Sequence, residues 1–174
     1  TTVSASEAIT LETKTGLVVD LSNVTTLTGT DAQLKSLYIL DQNSTVSGLG
    51  NENLTVSNTT TVTELNTLDT ETSGIITSAV QEGDLSTLNT LTSTNNVYSI
   101  TVTDTNIAVS DLNTLNGKTT GLITATAVTN ITGTASAIAT LMASEGDSGN
   151  AVNLDGDFAV TVSDTGSVCL LYTS

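Results

Sequence analysis

The sequence predicts an α/β solenoid, in which short capped helices alternate with short parallel strands in stacked coils of about 20–30 residues. Three observations predict this class. The chain repeats itself, leucines three residues apart recur, and runs of glycine followed by apolar, largely β-branched residues recur at Gly16, Gly74 and Gly121. Such a coil cannot bury a core alone, so neighbouring coils must stack. An all-β solenoid, with strands at the Leu-x-x-Leu segments, remains open as the alternative because threonine is abundant.

The repeat is clearest between two leucine segments, 62–68 and 109–115, which are nearly identical. Each is followed by a glycine run, at 74–77 and 121–124. A looser first copy occupies residues 6–11 and is followed by a glycine run at 15–18. We divide the repeat region, 1–168, into units at about 2–54, 55–100 and 101–160, with another starting at 161.

The leucine segments read as helices with start and stop signals. Ser110 stands before Asp111 and predicts an N-cap with an acid in the first turn. The same device is predicted at Ser6, Thr30 and Thr63. Asn116-Gly117 and Ser73-Gly74 are expected to end the helices. Residues 122–128, after Gly121, suit a short strand.

Composition excludes several classes of function. The 174 residues carry 18 acidic and three basic side chains, a net charge of −15, and no His. The three basic residues are all lysines, so the usual groups for acid–base catalysis and anion binding are missing. The charge repels nucleic acid and anionic lipid. We therefore expect no enzyme, no cofactor, no nucleic-acid partner and no membrane insertion.

Acidic residues offer the candidate metal and catalytic sites. Asp155 and Asp157 flank a glycine and could give oxygen ligands to calcium, but the spacing of a full calcium loop is missing, so a turn is the favoured interpretation. Glu145-Gly146-Asp147 is a weaker candidate. A glycosidase needs two paired acids, whereas the acids here stand mostly at predicted helix starts. Those acids are Glu7, Asp31, Glu64 and Asp111. We assign no catalytic, cofactor-binding or metal residue.

Threonine recurs in Thr-x-Thr patterns that could order water on a flat face. Ice binding of this kind needs threonine at the same strand position in every coil, and the copies differ. An exposed β-surface is the simpler explanation. The patterns are 59/61/63, 101/103/105, 124/126 and 132/134. Five Asn-x-Thr sequons, at Asn23, Asn43, Asn53, Asn58 and Asn130, follow from a chain rich in both residues.

The units at 109–121 and 48–57 resemble repeats of very long surface or secreted proteins of marine bacteria, cyanobacteria included. The likeness extends over about 2–168 and is sharpest at 97–141. It implies extracellular display with an adhesin-like character. No Gly-Gly-x-Gly-x-Asp repeat occurs, so a calcium β-roll is not supported. Residues 63–69 also resemble segments of phage tail-fibre proteins, less specifically.

The last six residues, 169–174, differ in composition from the rest and contain the single Cys. They resemble the translation of a sequencing-library adapter, and we expect the chain to be a metagenomic fragment. The predicted function is that of a spacer, stalk or coat in an extracellular surface protein. A virion fibre segment is the first alternative, and an ice- or glycan-binding solenoid the second. The expected partners are neighbouring repeats of the same chain, with end-to-end self-association at free ends.

Overall fold

A computed structural model describes residues 1–164 as a mixed α/β structure with six helices and twelve strands. The helices are α1 (Ala5–Lys14), α2 (Asp31–Gln42), α3 (Val62–Glu71), α4 (Leu85–Leu88), α5 (Val109–Asn116) and α6 (Ala135–Ala143). The strands are β1 (Thr2–Ser4), β2 (Val19–Asp20), β3 (Thr26–Gly29), β4 (Val46–Ser47), β5 (Asn53–Val56), β6 (Ile76–Ala79), β7 (Val97–Thr101), β8 (Asn106–Ala108), β9 (Ile123–Ala125), β10 (Asn130–Gly133), β11 (Val152–Leu154) and β12 (Ala159–Val162). The adapter-like residues 169–174 lie outside the described part.

The strands form three sheets, and every strand pair in residues 1–164 is parallel. The largest sheet has the order β1-β3-β5-β6-β7-β9-β11, a second has β12-β10-β8, and a third pairs β2 with β4. Parallel neighbours need a crossover connection, and each connection here contains a helix. The prediction of helices alternating with short parallel strands is therefore confirmed.

Neighbouring strands belong to successive passes of the chain. Thr77 pairs with Val97, twenty residues later, and Ile123 pairs with Val152, twenty-nine residues later. These are the shortest and longest offsets among the paired strands. The helices also contact one another in sequence, α1 with α2 and α5 with α6. We use the word segment for one helix together with its flanking strands.

The leucine pairs lie on helices and not on strands. Leu65 and Leu68 in α3 are completely buried, as are Leu112 and Leu115 in α5. Residues three apart share one face of a helix, so each pair points into the core. Corresponding buried pairs are Leu34/Leu37, Leu85/Leu88 and Ile138/Leu141. The all-β alternative is therefore wrong at these segments.

Helix α1 departs from this pattern. Its buried residues are Ala5 and Ala8, and Leu11 is 55% exposed. Helix α1 contacts α2, β1, β2 and β3, and the residues that it buries are small.

Only one of the four predicted N-caps is confirmed. Thr30 caps α2 in a capping box, in which Thr30 Oγ1 accepts from Gln33 N while Gln33 Oε1 accepts from Thr30 N. Ser6, Thr63 and Ser110 instead lie inside the first turn of their helices. The α3 cap is Thr61, paired with Glu64. Helices α1 and α5 begin directly after strands, at Ser4 and Ala108, and neither residue makes a side-chain cap.

Of the two predicted helix C-termini, the one at Asn116-Gly117 is confirmed and the one at Ser73-Gly74 is wrong. Helix α5 ends at Asn116 with Gly117 as its C-cap, as expected. Helix α3 ends earlier, at Glu71, and Gly74 has a packing role. The strand expected over 122–128 is limited to Ile123–Ala125, because the chain turns at Thr126 and Ala127 to reach the next strand.

Candidate functional site

Two Thr-x-Gly sequences, 72–74 and 119–121, fix the chain against the backbone of the preceding segment. Thr72 Oγ1 donates to the Glu52 carbonyl at 2.7 Å, and Gly74 N donates back to Thr72 Oγ1 at 3.0 Å. Thr119 Oγ1 lies 3.1 Å from the Tyr98 carbonyl, and Gly121 N donates to Thr119 Oγ1 at 2.9 Å. A Cβ on either glycine would overlap the same carbonyl that its threonine contacts. We call this arrangement the threonine–glycine lock.

The first lock lies over a buried carboxylate. Glu52 is 1% exposed, and its Oε2 accepts from the backbone N–H groups of Gly50 and Asn51 at 2.9 and 3.1 Å. The hydroxyl of Tyr38, from α2, donates to Oε1. Burial, followed by the hydrogen bond to Glu52 and its charge, raises the pKa of Tyr38 above its ordinary value. The carboxylate therefore joins α2 to the loop before β5.

The second lock lies over a buried tyrosine. Asn96 Nδ2 donates to the Tyr98 hydroxyl at 2.8 Å and to Asp69 Oδ1 at 2.7 Å, while Asn96 Oδ1 accepts from Ile76 N at 2.8 Å. Asn96 and Tyr98 are 3% and 0% exposed. Burial raises the pKa of Tyr98 to about 12; the hydrogen bond from Asn96 opposes the shift and the charge of Asp69 adds to it.

A polar cleft of about 290 Å³ opens beside this second network. Its walls include Asp69, Thr72, Ser93 and Asn96. Helix α4 has only four residues next to the ten of α3, so it leaves the end of α3 uncovered. Asp69 Oδ2 already accepts from Thr92 Oγ1 at 3.2 Å. The cleft thus offers hydroxyl and amide groups, and its one carboxylate is already engaged.

Four helix starts receive a side chain from the following segment. In each case the N–H of the first helical residue donates to an acid or amide 19 to 29 residues later, which supplies an acceptor for a group that has none within its own helix. The four contacts are Asp31 N to Asn58 Oδ1 (3.0 Å), Val62 N to Glu82 Oε2 (3.0 Å), Leu85 N to Asp104 Oδ2 (2.7 Å) and Ala135 N to Asp164 Oδ2 (2.6 Å). Three of the 18 acidic residues therefore connect segments in this way.

Helices α1 and α5 have no side-chain cap, and a glycine lies against the first residue of each. Gly29 faces Ala5 at the start of α1, and Gly133 faces Val109 at the start of α5. A Cβ at Gly133 would overlap the Val109 side chain. At both of these helix starts the facing residue of the following segment is thus a glycine, which has no side chain to act as a cap.

A charged cluster joins the starts of α2 and α3. Lys35 Nζ lies 3.3 Å from Asp31 Oδ2 and 3.1 Å from Glu64 Oε1, and Asn58 Nδ2 donates to Asp31 Oδ1 at 2.9 Å. Burial alone would raise the pKa of Asp31, but the hydrogen bonds from Asn58 and Lys35 outweigh it and lower the pKa. Burial would lower the pKa of Lys35, and the contacts with Glu64 and Asp31 reverse this and raise it.

The calcium candidate occupies a turn between two strands. Asp155, Gly156 and Asp157 follow β11, and the register places Asp155 beside Thr126. At that equivalent turn the chain uses Thr126 and Ala127, so the bend itself needs no carboxylate. Glu145 forms a bridge with Val152. Within residues 1–164, no three His, Cys, Asp or Glu side chains are grouped as a metal ion requires.

The acids predicted at helix starts are confirmed there, since Glu7, Asp31, Glu64 and Asp111 all lie in first turns. The sequon residues differ in their surroundings. Asn23 and Asn43 are exposed beyond β2 and α2, whereas Asn53 Oδ1 accepts from Ile75 N at 2.8 Å and Asn58 caps α2. Asn130 lies in β10, half-buried.

Threonines align in the large sheet, and its longest rank contains none of the threonines of the predicted patterns. Ser4, Thr28, Thr55 and Thr77 pair in succession across β1, β3, β5 and β6, and the rank ends at Val97. Thr101 pairs with Thr124 further along. The seven strands of this sheet contain no charged residue.

No pattern in the sequence marks Glu52, Asp69, Asn96, Glu82 or Asp104 as a contact residue. Each contacts a partner in another segment, so no local motif marks it; only the repeat spacing could have paired them. The chain matches no family model, no characterised protein and no solved structure. None of its described helices combines the length and hydropathy needed to cross a bilayer.

Proposed function

We propose that residues 1–164 are successive coils of an α/β solenoid and that this solenoid is a non-catalytic spacer, stalk or coat. The observation that carries the proposal is the parallel register, in which each strand pairs with a strand 20 to 29 residues away. Contacts limited to neighbouring passes of the chain are typical of solenoids.

The polar contacts between segments support a mechanical role. Buried side chains such as Glu52 and Asn96 are occupied with contacts between elements, and four helix starts depend on the next segment. Contacts of this kind between neighbouring segments would transmit load along the chain.

Location outside the cell, in an adhesin-like surface protein of a marine bacterium, follows from the sequence resemblance. The acidic surface is consistent with it, since net charge keeps strand-rich proteins from associating. A phage or virion fibre segment is the rival assignment. A fibre of that class assembles from several chains, whereas a spacer acts as a continuous single chain.

Pulling on the two ends of the chain tests the proposal. A solenoid should lengthen in several steps, each close to the length of one segment, because each coil contacts only its neighbours. The double variant Leu112→Asn, Leu115→Asn should bring one step to lower force, since it places polar groups in the core of α5. A single all-or-none extension of all the described residues would reject the solenoid.

The threonine rank supports ice binding as a second candidate. Ser4, Thr28, Thr55 and Thr77 are in register on a sheet without charged residues, a regular and neutral array over four of its seven strands. Thermal hysteresis of the purified chain tests this candidate. Thr55→Lys with Thr77→Lys should abolish hysteresis while leaving the circular dichroism spectrum unchanged. No hysteresis in the original protein would eliminate the candidate.

A further inference from the structure

One four-residue sequence, Leu-Asn-Thr-Leu, occurs three times in the chain, at 65–68, 88–91 and 112–115. Its two leucines are buried in every copy. Its threonine hydroxyl donates to a backbone carbonyl three or four residues earlier, so this side chain is satisfied within its own segment. These contacts account for three of the four positions and leave the asparagine, which is half-buried in every copy.

The asparagine connects each copy of this sequence to the following segment. In all three copies its side-chain Nδ2 donates to a backbone carbonyl 22 to 24 residues later. Two of these carbonyls lie in the first turns of α5 and α6, where the helix uses one lone pair of the oxygen and leaves the second for the asparagine. The three bonds are Asn66 Nδ2 to Thr90 O (2.9 Å), Asn89 Nδ2 to Asp111 O (3.1 Å) and Asn113 Nδ2 to Ala137 O (3.0 Å).

Apolar packing alone would leave the position of each helix against the next poorly defined. Burial of leucine is non-directional, and the leucine segments of α3 and α5 are nearly identical in sequence. A helix shifted by one turn, about 5.4 Å, could still bury leucine side chains. A hydrogen bond requires its donor and acceptor to lie about 3 Å apart, so a shift of that size would break it. The asparagine bond therefore distinguishes the observed register from a shifted one.

We propose that the asparagine of Leu-Asn-Thr-Leu is a positioning residue, which fixes the register of the following segment by donating a hydrogen bond to its backbone. In α2 the corresponding position is Lys35, whose Nζ also donates to the following segment, at Glu64 Oε1. In α6 the position is Ala139, whose side chain has no donor. The proposal concerns contacts within the chain and depends on neither the spacer role nor the ice-binding candidate.

Amide hydrogen exchange, followed by mass spectrometry of peptides from each helix, tests the proposal. Asn113→Ala should raise the exchange rates of α6 about fivefold, the effect of losing one intramolecular hydrogen bond. Helix α5, which carries the substitution, should change little because alanine is a good helix former. Asn89→Ala should act in the same way on α5. The matched control is Asn116→Ala, because Asn116 is also half-buried in α5 and its Oδ1 has no hydrogen-bond partner within residues 1–164.

The location of the faster exchange separates a positioning role from a general contribution to stability. Faster exchange confined to the segment after the substituted one is the expected result for both ladder variants, Asn113→Ala and Asn89→Ala. Four results would each overturn the proposal: no change, equal acceleration in every segment, acceleration only in the substituted helix, or equal effects of Asn113→Ala and Asn116→Ala. Circular dichroism checks that each variant folds, and Asn66→Ala, read at residues 85–92, replaces any variant that does not.

Discussion

The two threonine–glycine locks combine the same backbone geometry with opposite side-chain chemistry. In both, a threonine hydroxyl contacts a carbonyl of the preceding segment and a glycine leaves room for that carbonyl. The carbonyl belongs to the backbone of Glu52 in the first lock and of Tyr98 in the second, and both residues are buried. The backbone contact therefore constrains the position and leaves the side chain free to vary.

The elements behind each lock account for the difference. Glu52 meets a tyrosine hydroxyl from α2 and two backbone N–H groups, so a carboxylate is satisfied there. Tyr98 meets Asn96, which is itself fixed by Asp69 of α3. Each network contains one tyrosine and one carboxylate, but the tyrosine comes from the helix in the first and from the strand in the second. A buried polar residue is tolerated when a neighbour completes its hydrogen bonds.

Replacing the lock glycines should have the largest effect and should affect both locks alike. Gly74→Ala and Gly121→Ala each place a Cβ on a backbone carbonyl that cannot move without shifting a strand. We expect each to lower the free energy of unfolding by about 3 kcal/mol, as overpacking in a fixed site does. Urea denaturation measures the change.

The matched control for the glycines is Gly16→Ala, since a Cβ at Gly16 meets open space. Its effect on the free energy of unfolding should be within about 0.5 kcal/mol, the range usual for surface positions. Equal losses of unfolding free energy for Gly16→Ala and Gly121→Ala would mean that the short distance between Gly121 and the Tyr98 carbonyl does not affect stability.

Replacing Glu52 at the first lock should lower the free energy of unfolding more than replacing Tyr98 at the second. Glu52→Leu leaves the Tyr38 hydroxyl and two backbone N–H groups without their acceptor, and we expect a loss of about 2 kcal/mol in unfolding free energy. Tyr98→Phe removes one hydroxyl while Asn96 keeps its bond to Asp69, and should cost about 1 kcal/mol. Thermal and urea unfolding of both variants measure the difference. A larger loss for Tyr98→Phe than for Glu52→Leu would contradict the prediction that the Glu52 carboxylate contributes more to stability than the Tyr98 hydroxyl.

The smallest predicted effect is a fall in the free energy of unfolding at alkaline pH, caused by the buried Tyr98 of the second network. The pKa of Tyr98 rises from about 10 in the unfolded chain to about 12 in the folded protein, so the unfolded state loses its proton first. The stabilisation is complete below pH 10 and is lost as the pH rises towards 12. Between pH 10 and 11, Tyr98 should account for a fall of about 1 kcal/mol in unfolding free energy.

Tyr98→Phe isolates that contribution from the rest of the alkaline transition. The variant should lose about 1 kcal/mol less than the original protein between pH 10 and 11, even though it is less stable at neutral pH. Parallel stability curves for the two proteins over this interval would contradict the raised pKa of Tyr98.

Local signals in the sequence were sufficient for the helices and for some of their ends. Leu112 and Leu115 are three residues apart and flanked by good helix-start residues, so the helix and its buried face follow from spacing alone. Thr30 is a correct cap because it stands between a strand and an acidic first turn. Thr63 is wrong because Thr61, two residues earlier, forms the capping box with Glu64. Ser110 is wrong because α5 begins directly after β8, with Ala108 at its N-cap position.

The sequence by itself determined the net charge, the alternation of helix and strand, the buried leucine pairs and the glycines that follow them. Each depends on residue type or on spacing within about ten positions. Tertiary structure alone decided that Glu52 is buried, that Asn96 joins Asp69 to Tyr98, and which threonines align. Those outcomes depend on register between strands 20 to 29 residues apart, and insertions at the turns change that register from one segment to the next.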